Sequence, residues 1–157
     1  MRPSHRRYCG RHLVAIELVE FPDLTALARQ MALQELAARG ISGVPIGSHA
    51  IAAPPGGVLP QRYIRLFALP GAELCRRVQS VVIVGQVYDT NELRCTVIAS
   101  KLGAILRAAP DIEIGADNPI TEPCELHGPY PSNDPDLPHY SRYQVNVRWT
   151  VQSIVTE

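Results

Sequence analysis

The chain has 157 residues, 46% hydrophobic and 19% charged, and its 15 basic and 15 acidic side chains leave no formal net charge. That length suits one domain, which buries roughly 68–70% of its unfolded surface and needs neither metal nor disulfide to hold a core. Neutrality argues against a broad basic face for nucleic acid, and no run approaches the ~18 apolar residues of a membrane span. Cys9, Cys75, Cys95 and Cys124 are scattered without C-x-x-C spacing. The apolar run Leu13–Val19 is short and broken by Glu17, unlike a signal peptide, so a cytosolic chain with reduced thiols is expected.

The charges are unevenly placed. Arg2, Arg6, Arg7 and Arg11 precede the first acid, Glu17, leaving 11 basic against 15 acidic residues beyond them, a body of about −4. Between Pro110 and Ser141 lie Asp111, Glu113, Asp117, Glu122, Glu125, Asp134 and Asp136, with no Lys or Arg. Lys101 is the one lysine, and the arginine and alanine bias suggests a GC-rich genome. Residues 1–19 therefore read as a basic arm and residues 20–157 as the folded domain.

Pro22-Asp23 signals a helix start, with Leu24, Leu27, Ala28 and Met31 on one face. Leu33 and Leu36 are expected on a second face, so that this helix touches two surfaces, and Gly40 ends it. From Ile41 to Pro60 the Gly/Pro content predicts loop, with one short strand near Val44–Ile46. Arg62–Leu69 alternates as a strand, Pro70-Gly71 reads as a turn, and Gln79–Val87 as its antiparallel partner, buried on both faces around Val81–Val84. Asp89-Thr90-Asn91-Glu92 resembles a capping box. It opens a second helix with the stripe Cys95, Ile98, Leu102, Ile105 and Leu106, stopped by Pro110. Residues 111–142 carry short strand-like pieces at Ile112–Ile114 and Glu122–His127, and 115–142 is expected to be one long functional loop. Last, Tyr143, Val145, Val147, Trp149 and Val151 alternate with Gln144, Asn146, Arg148, Thr150 and Gln152, a long strand with one buried and one wetted face. The fold class predicted is α+β, a mixed and mainly antiparallel sheet packed with two helices.

Chemistry-bearing motifs are missing: there is no Walker A, G-x-G-x-x-G, G-x-S-x-G or H-E-x-x-H pattern. His127, Asp134, Asp136 and His139 include metal-ligand types, but their spacing matches no known site, and turn-forming loop side chains explain them better. Cys75 precedes Arg76-Arg77, which would favour its thiolate, but no histidine is nominated to serve it. Cys95 sits on the helix stripe as a small hydrophobe. No catalytic, cofactor or metal residue is assigned. The basic arm with Tyr8 is a small footprint for phosphate, and a disordered or partner-docked arm fits it better.

The element order, with Phe21-Pro22-Asp23-Leu24 entering a helix, Arg62-Tyr63-Ile64-Arg65-Leu66, Val87-Tyr88-Asp89 running into helix 90–108, and the closing Ser141-Arg142-Tyr143-Gln144-Val145-Asn146-Val147-Arg148-Trp149, resembles the lambda-type tail terminator proteins of long-tailed phages, especially those of actinobacterial hosts. The resemblance spans roughly residues 20–155. Two departures from the pattern are the long arm 1–19 and the proline-rich stretch 128–139. It implies a non-enzymatic virion protein, assembled in the host cytoplasm, whose homohexameric ring caps the tail tube and joins it to the head connector while DNA passes unbound. Ring closure requires two different patches on each subunit. Candidate contacts are Arg29, Leu33 and Leu36 on the first helix, and Asp117, Glu122, Glu125, Asp134 and Asp136, the last group also as lumen acids that discourage DNA sticking. Another neck or connector protein is the nearest alternative, and a small α+β enzyme or ligand-binding domain the alternative of a different class.

Overall fold

A computed structural model describes residues 17–115 and 117–156. In chain order the elements are β1 (Leu18–Glu20), α1 (Leu24–Ala38), β2 (Ile46–Gly47), β3 (Arg62–Cys75), β4 (Val78–Asp89), α2 (Glu92–Arg107), a 3-10 turn (Ala109–Asp111), β5 (Ile120–Pro131), β6 (Ser141–Gln152) and β7 (Ile154–Thr156). The main sheet has the order β2-β3-β4-β6-β5, with β2 parallel to β3 and every other pair antiparallel, and β1 and β7 form a separate ribbon. This is an α+β fold with a mixed, mainly antiparallel sheet and two helices. Most of the basic arm lies outside the described residues, but Leu18 and Val19 belong to β1, which the sequence reading did not anticipate.

Both helices lie on one face of the sheet. Asp23 caps α1, its Oδ1 accepting from Ala26 N at 3.0 Å. At the other end Gly40, at φ +77°, lets the chain reverse, and Ile41 N and Gly40 N donate back to the Leu36 and Ala37 carbonyls. Leu24, Ala28, Met31, Ala32 and Leu36 form one buried face. The expected second face is corrected accordingly: Leu36 belongs to the core and Leu33 alone stays 45% exposed. Residue 36 lies one turn beyond buried Ala32, about 40° round the helix from it, while 33 is about 180° from residue 24.

Four further expectations are corrected. The short loop strand is Ile46–Gly47, starting where Val44–Ile46 was expected to end. Pro70-Gly71 is no turn: β3 continues to Cys75, with a register shift between Leu69 and Ala72, and the chain reverses at Arg76-Arg77. A Cβ on residue 71 would collide with the Ser80 carbonyl, so glycine is what lets the two backbones meet there. The capping box is not formed. Asn91 caps α2 by accepting from Arg94 N at 2.9 Å, and Asp89, two residues earlier, is fully buried. Finally, 115–142 is not a single loop, because β5 occupies twelve of its residues. Pro123, Pro129 and Pro131 disguise that strand. They are tolerated because β5 is an edge, and register shifts at 121/125 and 127/130 absorb them.

The core sits between the helices and the inner faces of β3, β4 and β6. Ile64, Leu66, Ile83, Val87, Val145, Val147 and Val151 meet Ile98, Leu102 and Leu106 of α2. Trp149 is fully buried and its indole N–H donates to the Leu106 carbonyl at 2.7 Å. That carbonyl is in the last turn of α2, and the residue four on, Pro110, has no N–H to give it. Trp149→Ala is expected to lose ~3–5 kcal/mol of stability through cavity formation. Trp149→Phe, which keeps a ring but orphans the carbonyl, should lose ~1–3 kcal/mol. Urea unfolding followed by circular dichroism checks both, and a smaller loss for Ala than for Phe would contradict the packing described.

Candidate functional site

With both helices on one side, the other face of the sheet carries no second layer among the described residues. Strand alternation places Tyr63, Arg65, Phe67 and Leu69 of β3 on it, then Val82, Val84, Gln86 and Tyr88 of β4, and Arg142, Gln144, Asn146, Arg148 and Thr150 of β6. The edge strand adds Glu125, His127 and Tyr130. The register arranges them in cross-strand rows: Tyr63–Tyr88–Arg142, Arg65–Gln86–Gln144–Tyr130, Phe67–Val84–Asn146–His127, and Leu69–Val82–Arg148–Glu125.

The second row forms an amide network. Gln86 Nε2 donates to Gln144 Oε1 at 3.0 Å, and Gln144 Nε2 donates to Tyr130 Oη at 2.9 Å and Asn146 Oδ1 at 3.1 Å. Asn146 Nδ2 also donates to Tyr130 Oη, at 3.0 Å. Gln86 is 9% exposed, and its Oε1 is the one buried side-chain polar atom without a partner among the described residues. The flanking rows are held by arginines. Arg65 lies 4.7 Å above the Phe67 ring and donates to Ser48 O at 3.3 Å. Arg148 pairs with Glu125 at 3.1 Å. Arg142 lies 5.7 Å from the Tyr88 ring centre and donates to the Ser132 carbonyl and to Asp134 Oδ2, which fastens loop 132–140 to the sheet.

The candidate contact residues are not brought to one surface. Arg29 and Leu33 are exposed on α1, on the helical side, while Leu36 is in the core and offers nothing to a partner of this folded chain. Glu125 and Asp134 are engaged by Arg148 and Arg142, and Asp134 Oδ1 also accepts from Asp136 N. Asp117 and Glu122 lie near the start of β5 and make no salt bridge among the described residues, and the Glu122 carboxylate accepts from Cys124 N at 3.0 Å. A second exposed feature lies outside the expectations drawn from the sequence. Leu93 and Val97, one turn apart on the outer side of α2, are 79% and 52% exposed. Their i,i+4 spacing was readable, but the inner stripe of the same helix dominated the pattern.

For chemistry, no group of three His, Cys, Asp or Glu side chains converges on a metal-sized site among the described residues. The grooves are shallow surface features. That between the two helices encloses about 320 Å³ over Ile105 and Ile112, with the Glu35–Arg39 ion pair and Lys101 on its rim. Cys95 is buried, with its Sγ 3.2 Å from Val87 O, and burial pushes its thiol up to about 11; burial raises Cys124 as well. The chain matches no protein-family model and no curated protein.

Thiols held protonated in a core resist alkylation. Brief treatment with iodoacetamide near neutral pH should therefore label exposed Cys75 while sparing Cys95 and Cys124, and unfolding should expose both. Peptide mass spectrometry reads the result, and early labelling of Cys95 would contradict its burial.

Proposed function

We propose that this chain is a structural virion protein, a tail terminator whose homohexameric ring caps the tail tube and joins it to the head connector. The observation that carries this reading is the presence, among the described residues, of two unlike surfaces on opposite sides of one fold. One is a sheet face with no layer over it, though Val84, Gln86 and Tyr88 at its centre are buried by their neighbours, and the other is an exposed apolar pair on α2. The sheet presents a hydrogen-bonding face of amides and arginines, and α2 presents the apolar pair Leu93 and Val97. A ring needs such a pair, because a heterologous contact joins one patch to a different patch on the next subunit and closes after a fixed rotation. The resemblance of the element order to lambda-type terminators supports the same reading. In this role the partners are further copies of the chain, the tail tube protein and the connector, with DNA crossing the ring unbound.

Cryo-electron microscopy of phage particles carrying the chain tests the role. Six-fold density between the last tube ring and the connector is the expected result, and placement of the chain anywhere else, or its absence from the particle, removes the reading. The α2 patch has its own test. The pair Leu93→Glu and Val97→Glu changes exposed positions, so the variant should keep its circular dichroism and melting temperature yet fail to enter particles. Normal incorporation would exclude that patch from the ring contact.

A further inference from the structure

The outer face of the sheet changes character from row to row along β3 and β4. Nearest the hairpin that joins them, Leu69 is exposed and Val82 half-buried. The next row holds Phe67, half-buried with Arg65 over its ring, beside buried Val84. The row after that, Arg65–Gln86–Gln144, is polar. It contains Gln86 Oε1, the one buried side-chain acceptor without a donor among the described residues. Along the strands the face therefore offers an apolar step, a second apolar step and an acceptor.

The same series is written on the outer side of α2. Leu93 and Val97 are exposed and apolar, and Lys101, four residues further, carries a donor that makes no salt bridge among the described residues. Residues four apart advance about 6 Å along a helix axis. Residues two apart on a strand advance about 6.7 Å. The two spacings stay in step over three members. The chain cannot bring them together by itself, because α2 lies on the other side of its own sheet.

We propose that in the ring α2 of one copy lies along β4 of the next copy and runs in the same direction. Leu93 then rests on the Leu69–Val82 row, Val97 on the Phe67–Val84 row, and Lys101 on the Arg65–Gln86–Gln144 row. The inference rests on the terminator reading and adds the register of its contact. The reverse direction would set Leu93 on the amides and the Lys101 ammonium on Leu69 and Val82, a desolvated charge with no acceptor. Because the two patches lie on opposite sides of the fold, each contact leaves one of each kind open. Association then propagates head to tail until it closes.

Thiol cross-linking in phage particles tests the register. The full chain takes Leu69→Cys and Leu93→Cys, with Cys9→Ser and Cys75→Ser to remove competing thiols, and the particles are treated with a short bis-maleimide. A denaturing gel should show multimers larger than two, joined through positions 69 and 93. The same background with Tyr63→Cys and Leu93→Cys should stay unlinked, since Tyr63 is at the far end of the rows. No links, products that stop at dimers, or preferred linking through position 63 would overturn the proposal. Cryo-electron microscopy of unaltered particles gives a second reading that no substitution disturbs, with α2 of each copy expected along β4 of its neighbour. A six-fold ring at the neck whose sheet face meets anything else overturns this register and leaves the terminator role standing. A chain located away from the neck removes both.

Discussion

The unbroken register of β4 on β6 is the constraint on which the rest of this structure depends. Twelve consecutive pairs, from Val78 opposite Gln152 to Asp89 opposite Ser141, run without a bulge. Because side chains alternate, a slip of one residue would exchange the two faces entirely. It would bring Trp149 out from under α2 and turn Gln144 and Asn146 into the core. Hydrophobic burial sets the pairing, and the polar face is its by-product: once Val145, Val147, Trp149 and Val151 point inward, the residues between them must face outward. The other two long strands bend where this pair does not. β3 and β5 both carry register shifts, and both lie away from the sheet's centre.

At one end of that register a second device fixes where the chain leaves the sheet. Asp89, fully buried, accepts from Arg94 Nε and Nη2 at 2.6 Å each and from Asn91 N at 2.8 Å. A carboxylate out of water must be paired and hydrogen-bonded, and here the partners are the first residues of the helix that follows. The same hydrogen bonding holds the Arg94 guanidinium above its ordinary pKa. Arg142, opposite Tyr88, binds loop 132–140, and Tyr140 Oη donates to Pro60 O at 2.7 Å, so two long loops are fastened together beside the helix start. The irregular segments are thus anchored to the most regular part of the fold.

How much of this was legible follows from how local each signal is. The alternation in β6, the apolar run in β4 and the inner stripe of α2 are short-range patterns, and each forms where it was expected. The misread elements depend on distant partners. Pro70-Gly71 looks like a turn until Ser80 lies opposite, and Pro123 and Pro129 look like loop residues until β6 supplies one side of a ladder whose other side is free. Asp89 reads as a helix cap because its short side chain can accept from a backbone N–H and Glu92 stands three residues on, and only the tertiary structure shows it buried and bound by Arg94. The candidate site was half visible. The wetted half of β6 was recognised as such, but its joining to Gln86 and Tyr130 requires the order of strands, which no single segment encodes.

On the proposed reading, the contrast between the two surfaces bears on when association occurs. The amide row largely satisfies itself, so the sheet face loses little by meeting water, and Gln86 Oε1 is the one buried side-chain acceptor left without a donor among the described residues. Leu93 and Val97 form too small a patch to drive association alone, because a stable interface takes roughly 800 Å² from each partner. A scaffold that holds several copies side by side changes this, since contacts between neighbours then form at a high effective concentration. A fold with a self-satisfied polar face and a small apolar patch suits a protein that stays dispersed until a symmetric template gathers it, which is the behaviour a ring built on the end of a finished tube requires.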